Sequence, residues 1–207
     1  MDTLLNRLNE LKRSGVRIRV HQRIQEFKHI DTQSPDELFK ELTFCILTAN
    51  FNAQRAIQIH TKLCTCFSTS SKETLAKKLK ACGYRFPHTR AAYIVDAMEH
   101  KHALRAILHT LDGHDRRDWL VQNINGLGYK EASHFLRNVG YDDYAIIDSH
   151  ILDLLERYHI RRHPKTLTKK RYLQIERLLR SLATQANLTL AELDLYLWYL
   201  ETGAILK

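Results

Sequence analysis

Hydrophobic residues recur at three- and four-residue intervals along almost the whole chain, and long runs of alternating polar and apolar residues are missing. Intervals of three and four place apolar side chains on one face of an α-helix, whereas a half-buried strand needs strict alternation. Only 7 glycines and 3 prolines interrupt the pattern. The sequence therefore predicts an all-α protein, built from helices that short turns connect.

One segment, from Leu38 to Leu47, is apolar around most of its helical circumference. Because such a helix must be surrounded by others, we expect it to be the central core helix. Further helices are predicted near residues 71–82, 88–100, 115–123, 129–139, 150–158, 168–185 and 189–202. Glycine commonly follows the last turn of a helix, and we expect such stops at Gly83, Gly113, Gly140 and Gly203.

The chain is basic, with 32 Lys and Arg against 23 Asp and Glu and a formal charge of +9. This excess favours a polyanionic partner, because basic side chains release the counterions condensed on nucleic acids. Charge alone does not distinguish DNA from RNA. A basic run between Arg161 and Arg180 fits either phosphate contact or a solvated helix face that packs through its apolar stripe.

The sequence contains no apolar stretch of about 20 residues, which a membrane helix would need. Its first residues form an amphipathic pattern rather than a signal peptide, so we expect a soluble, intracellular protein of the cytoplasm or nucleoid. The four cysteines fit neither a disulfide framework nor a paired zinc motif. We therefore expect no metal and no cofactor.

The segment from Leu120 to Lys130 predicts a short helix, a Gly-apolar-Gly turn and a second helix that begins at once. Gly126 and Gly128 carry no Cβ where the chain turns, and the second helix presents free backbone N–H groups at its positive end. Together with Leu127 they are candidates to bind a DNA phosphate without reading its sequence. An ordinary helix–helix turn with a glycine cap is the alternative.

Lys130 lies in the first turn of that second helix, where a cation opposes the helix dipole. The apolar pattern puts Lys130, His134 and Arg137 on the face opposite the core, where repulsion is expected to destabilise the charged lysine. A neutral amine is a nucleophile, so Lys130 is a candidate for Schiff-base chemistry. The alternative is a solvated lysine that contacts phosphate.

Asp148 follows an apolar run and directly precedes a predicted helix. An N-cap is the ordinary structural role of aspartate at such a position. Its ionised carboxylate could also stabilise positive charge that develops on a sugar, so both roles stay open.

The motif from Gly126 to Lys130, with Asp148 following 18 positions after the lysine, resembles the helix-hairpin-helix DNA glycosylases of the endonuclease III superfamily. The segment from Lys130 to Asp148 and the ending ELDLYLWYLETGAILK are similar to the archaeal type 2 8-oxoguanine branch. The resemblance runs from near Glu26 to Lys207. It implies two helical lobes with a catalytic cleft between them: residues 31–141, with the helix-hairpin-helix at about 116–139, and residues 1–30 plus 142–207.

The resemblance further implies a monomeric base-excision-repair enzyme that flips 8-oxoguanine out of damaged double-stranded DNA and excises it. Lys130 would attack C1′ and form an imine, whose β-elimination gives lyase activity. Asp148 would stabilise the oxocarbenium-like transition state, and His150 matches a position that contacts phosphate. Close relatives are expected to carry Arg where this chain has Ser149, which puts one DNA contact in doubt.

Residues that handle the flipped base are also implied by the resemblance. Asn50 would enter the base stack as a wedge, unless it only belongs to a polar loop that ends a helix. Trp198 would stack on the expelled purine, unless it packs in the core, and Phe86 is a weaker candidate for the opposite face. Asp194 would bind a base edge or the lysine, and Lys207 would contact the lesion.

Many members of the superfamily hold an iron–sulfur cluster with four cysteines near the C-terminus, but this chain has no cysteine after Cys82. That difference argues against the endonuclease III and adenine-mismatch branches. Two alternatives stay open. The protein could be a glycosylase of this superfamily for another base, such as an oxidised pyrimidine or an alkylated purine, or a helix-hairpin-helix module that binds DNA without catalysis.

Overall fold

The computed structural model describes residues 2–30 and 34–206, and it confirms the predicted all-α fold. These ranges contain no strand, and none of their helices is long and apolar enough to cross a membrane. A short 3₁₀ helix covers Met98–His100. The α-helices are α1 (Asp2–Lys12), α2 (Val16–Ile30), α3 (Pro35–Thr48), α4 (Ala53–Leu63), α5 (Lys72–Ala81), α6 (Pro87–Ala97), α7 (Leu104–Thr110), α8 (Gly113–Asn123), α9 (Tyr129–Asn138), α10 (Ser149–Arg157), α11 (Lys169–Ala186) and α12 (Leu190–Thr202).

The predicted core helix is confirmed as α3. Its N-cap is Ser34, whose hydroxyl accepts a hydrogen bond from the Glu37 backbone N–H at 3.4 Å. From Leu38 to Thr48 every residue except Lys40 is buried. Each fully buried Leu or Phe stabilises the fold by about 1.5–3 kcal/mol, and α4, α6 and α7 pack around this helix.

The prediction that Gly113 stops a helix is wrong, because Gly113 is the first residue of α8. The preceding helix already ends at Thr110, where Leu111 takes an extended conformation, and Asp112 is the N-cap of α8. The other three predicted stops are confirmed, since each follows the end of a helix: Gly83 after α5, Gly140 after α9 and Gly203 after α12.

The chain forms two compact units. One unit is Ile30–Phe135, and the other combines Met1–His29 with Leu136–Lys207, so the division falls inside α9. In the second unit α1 packs against α11 and α12, and α10 packs against α12. Helices from near both ends of the chain therefore share one hydrophobic core.

A buried ion pair links α9 to α12 within the second unit. The Arg137 guanidinium donates to the Asp194 carboxylate, and the two residues are only 4% and 9% exposed. Arg137 also donates to Asn138 Oδ1 at 2.9 Å and lies 4.8 Å from the centre of the Phe27 ring. Because both charges are buried, removing either residue takes a buried ion pair away from the other.

Replacing Arg137 by Met is expected to lower the free energy of unfolding by about 3–5 kcal/mol, because the buried Asp194 carboxylate would lose this ion pair. Urea denaturation of the wild type and of Arg137→Met measures this loss. The double variant Arg137→Met with Asp194→Leu should recover most of it, since both charges of the pair are then removed. A single variant as stable as the wild type would contradict the expectation.

Candidate active site

Helices α8 and α9 form a helix-hairpin-helix. Ile124 takes an extended conformation and ends α8, with its backbone N–H still donating to the Leu120 carbonyl at 3.0 Å. In the turn, Asn125 Nδ2 donates to Asp96 Oδ2 at 3.3 Å, and the Leu127 side chain is buried. The turn is therefore fixed from inside by Leu127 and from outside by Asp96, directly before α9 begins at Tyr129.

The two glycines of the turn differ in what they require. Gly126 has a φ of +89°, and a Cβ at this position would lie 2.5 Å from Cδ2 of Tyr93. Gly128 has an ordinary φ, and a Cβ there would meet only Glu131 Oε2, at 3.2 Å. The Gly-apolar-Gly pattern does not distinguish the two glycines, but only Gly126 needs a backbone conformation that favours glycine.

Gly126→Ala is expected to destabilise the protein more than Gly128→Ala. The left-handed backbone costs an alanine about 1–2 kcal/mol, and the contact with Tyr93 adds strain. Gly128→Ala needs only a small shift of the Glu131 side chain, so a loss below about 1 kcal/mol is expected. Thermal unfolding of both variants tests this order, and equal losses would contradict it.

The Glu131 carboxylate lies between the turn and Lys130. Its Oε2 accepts a hydrogen bond from the Gly128 backbone N–H at 3.2 Å, and its Oε1 lies 3.8 Å from Lys130 Nζ. The Lys130 side chain is 26% exposed, so its amine is reachable from solvent although it lies against the helix start. This places the candidate nucleophile beside the candidate phosphate site.

The expected cationic face of α9 is wrong. From Ala132 to Val139 every residue is buried, because α9 is surrounded by other side chains. The His134 ring packs edge-on against Phe44 at 5.7 Å, and Arg137 is neutralised by Asp194. Periodicity could not reveal this, since it does not show which polar residues have buried partners. The observed charged neighbour of Lys130 is an acid, Glu131.

Asp148 is positioned by an extended, buried segment that precedes α10. The Tyr172 hydroxyl of α11 donates to the Ala145 carbonyl at 2.7 Å and accepts from the Ile147 N–H at 3.2 Å. Glu176 accepts from the Ala145 N–H at 3.1 Å. Asp148 follows as the N-cap of α10, with Oδ1 accepting from the Ile151 N–H at 3.0 Å. The capping role is therefore present, on a carboxylate that is only partly buried.

His150 and Trp198 lie together in the second unit. The exposed His150 ring meets the Trp198 ring edge-on, with centroids 5.1 Å apart. Trp198 is partly exposed, unlike the fully buried Leu193 and Leu197 of the same helix. Its indole N–H is buried and has no hydrogen-bond partner in the described part of the chain. One turn earlier, the Asp194 carboxylate is engaged by Arg137.

Asn50 lies exposed two residues after the end of α3 with a φ of 56°, a left-handed conformation that asparagine adopts more readily than most non-glycine residues. Two side chains of the following elements hold this turn. The Tyr84 hydroxyl donates to the Leu47 carbonyl at 2.6 Å, and Arg90 donates to the Ala49 carbonyl at 2.8 Å. Burial raises the pKa of the Tyr84 hydroxyl, so it remains a protonated donor at neutral pH.

Phe86, the N-cap residue of α6, is 37% exposed, and the Arg85 guanidinium lies 4.9 Å from the centre of its ring. Tyr84 and Arg90 flank it in the chain, so the segment that carries Phe86 is tied to the Asn50 turn within one unit. Lys207 lies outside the described residues.

Several residues that position the site were missed by the sequence argument. Glu131 could have been found, because a glutamate three residues into a helix commonly caps the first backbone N–H. Tyr84, Arg90 and Tyr172 had no such signal. Their hydroxyl and guanidinium groups bind backbone carbonyls far away in the chain, and no local spacing encodes that contact.

This chain matches a known protein family over most of its length. The model of the family described as "Ogg-HhH: 8-oxoguanine DNA glycosylase" matches residues 20–188. The "8-oxoguanine DNA glycosylase/AP lyase" of Methanocaldococcus jannaschii is 50% identical over 206 residues, which are 99% of both chains. The protein of the same name from Korarchaeum cryptofilum is 48% identical, over 100% of this chain and 99% of its own.

A solved structure is also similar over the whole chain. The crystal structure of the Methanocaldococcus jannaschii 8-oxoguanine glycosylase/lyase in complex with a 15mer DNA containing 8-oxoguanine superimposes with a TM-score of 0.94. It shares 49% sequence identity and covers 99% of this chain and 100% of that one.

Proposed function

Because this chain belongs to the 8-oxoguanine DNA glycosylase family, it is a base-excision-repair glycosylase with AP lyase activity, and we propose that Lys130 and Asp148 perform its chemistry. The observation that carries this assignment is the position of Lys130 in the first turn of the second hairpin helix. Its amine and the Gly128 backbone N–H contact the two oxygens of one carboxylate, Glu131, and that N–H is suited to holding the phosphate of a bound nucleotide.

The reaction begins when the neutral Lys130 amine attacks C1′ of the damaged nucleoside. The bond between C1′ and the base breaks, and the base leaves with the bonding electrons and takes up a proton. The sugar ring then opens to an imine that joins Nζ and C1′. Loss of the 2′ proton and departure of the 3′ phosphate complete β-elimination and cut the strand.

Asp148 stabilises the positive charge that develops on the sugar during this attack. Its place at the start of α10 supports this role, because Tyr172 and Glu176 fix the preceding segment while the carboxylate stays partly exposed. The lysine mechanism requires no metal and no cofactor.

The partner is damaged double-stranded DNA, which the protein binds as a monomer inside the cell. Backbone groups of Gly126, Leu127 and Gly128 hold one phosphate, and His150 holds another. These contacts fix the register without reading the sequence. The formal charge of +9 adds attraction that is independent of sequence.

The target nucleotide must leave the base stack before C1′ can be reached. Asn50 fills the resulting gap, and its exposed left-handed turn, held by Tyr84 and Arg90, supports this role. Trp198 stacks on the expelled purine, and its buried indole N–H is a donor available to a ligand.

Three further residues complete the proposed recognition of the base. Phe86 covers its second face, and Asp194 contacts a base edge while it remains paired with Arg137. Lys207 contacts the lesion.

Borohydride trapping with a panel of duplexes tests the proposal. The protein is incubated with duplexes that carry 8-oxoguanine, thymine glycol, an alkylated purine or normal guanine, and the adduct is read on a denaturing gel. An adduct with the 8-oxoguanine duplex alone is expected, together with strand cleavage when borohydride is omitted. Adducts with another lesion would indicate a different base specificity, and binding without any adduct would indicate a non-catalytic module.

A further inference from the structure

Glu131 contacts both groups on which the proposed function depends. One carboxylate oxygen accepts the Gly128 N–H at 3.2 Å, and the other lies 3.8 Å from Lys130 Nζ. The Glu131 side chain is only 16% exposed, so this arrangement is partly shielded from water. An anion of the protein therefore occupies the backbone group that is proposed to hold a DNA phosphate.

The contact with Gly128 has the form of half a capping box. A glutamate at the third helical position reaches back to the N–H of the N-cap residue, but the N-cap here is a glycine without a side chain. Any hydrogen-bond acceptor of this length could serve as a cap. Capping does not require a negative charge. The charge of Glu131 has a separate effect, because it repels a phosphate that approaches the same N–H.

We propose that Glu131 is a positioning residue that yields the Gly128 N–H to a DNA phosphate and, once displaced, holds Lys130 and takes up the proton that its ammonium group must lose before Nζ attacks C1′. The inference rests on the proposed roles of Gly128 and Lys130. Binding of duplex exchanges one anion for another at the turn, which weakens affinity for every duplex. The displaced carboxylate still contacts Lys130. The same side chain therefore lowers the affinity for DNA and positions the nucleophile.

Charged groups of α6 and α8 also lie near the start of α9, and Asp96 of α6 accepts a hydrogen bond from Asn125 of the turn. Asp118 accepts a hydrogen bond from the Tyr129 hydroxyl, and Arg117 donates to Ser133 at 3.1 Å and lies over the Tyr129 ring. Because Asp118 holds the first residue of α9, the matched control is Asp115→Asn, which removes a negative charge from an exposed position in the first turn of α8.

The test variant is Glu131→Gln, because the glutamine carbonyl can still accept the Gly128 N–H while the charge is gone. Two quantities are measured: affinity for an undamaged duplex at low salt, and the single-turnover rate of adduct formation with saturating 8-oxoguanine duplex. We expect affinity to rise about three- to tenfold and the rate to fall about tenfold. Asp115→Asn should change each by less than about twofold, because its charge is exposed to solvent.

Opposite changes in affinity and rate distinguish this role from a structural one, since loss of a cap would weaken both or neither. Unchanged or weaker affinity of Glu131→Gln for undamaged duplex overturns the exchange at Gly128. Higher affinity with an undiminished rate overturns the role in holding Lys130. If the wild type forms no adduct, the proposed function fails instead, and the affinity measurement still reports on Gly128 alone.

Discussion

Replacing Lys130 by Gln is expected to abolish borohydride trapping and to lower excision of 8-oxoguanine by about three orders of magnitude or more. The glutamine amide has no nucleophilic nitrogen, so the covalent route is closed, and loss of a nucleophile typically has an effect of this size. Binding should persist, because the backbone N–H groups of the hairpin do not depend on this side chain. Gel trapping, single-turnover excision and duplex affinity are measured side by side.

The control for this variant is Lys77→Gln, which removes the same charge from an exposed position on α5. It should leave trapping and excision unchanged, so that a general loss of positive charge is separated from loss of the nucleophile. An undiminished adduct with Lys130→Gln would assign the Schiff base to another amine. Loss of binding together with loss of trapping would mean that Lys130 acts through DNA affinity.

Much of the helical architecture was predictable, because an amphipathic helix shows its buried face as a repeat of three and four. Helices α9 and α12 were predicted to within one residue at each end. Helix α2 was not predicted. It begins with Val16, Ile18 and Val20, an alternation typical of strands, and Ile18 remains 64% exposed on the helix. Packing of the other residues of α2 overrides this local preference.

The candidate site was predictable where its residues share a local motif. Gly126, Lys130 and Asp148 stand at helix ends, where capping and helix dipoles leave a signature in the sequence. Partners that come from distant segments leave none. Nothing in the spacing of α9 indicates that Arg137 is paired with Asp194, 57 residues away. Because of this pairing, Arg137 does not act as the free cation that was expected to repel Lys130.

Asp148→Asn is expected to lower excision by about two to four orders of magnitude while the protein remains as stable as the wild type. Asparagine caps a helix about as well as aspartate, so its side chain can still accept the Ile151 N–H. What it lacks is the charge that opposes the developing oxocarbenium ion. Single-turnover excision and thermal unfolding are measured on the same preparation.

Two further variants separate the capping role of Asp148 from its charge. Asp148→Ser keeps a capping oxygen, and its activity should fall like that of the asparagine variant, with little change in stability. Asp148→Ala loses the cap as well, so it should also lose about 1 kcal/mol of unfolding free energy. If activity instead follows stability across the three variants, with Asn and Ser fully active, then Asp148 serves only as a cap. In that case the positive charge on the sugar must be stabilised by another group.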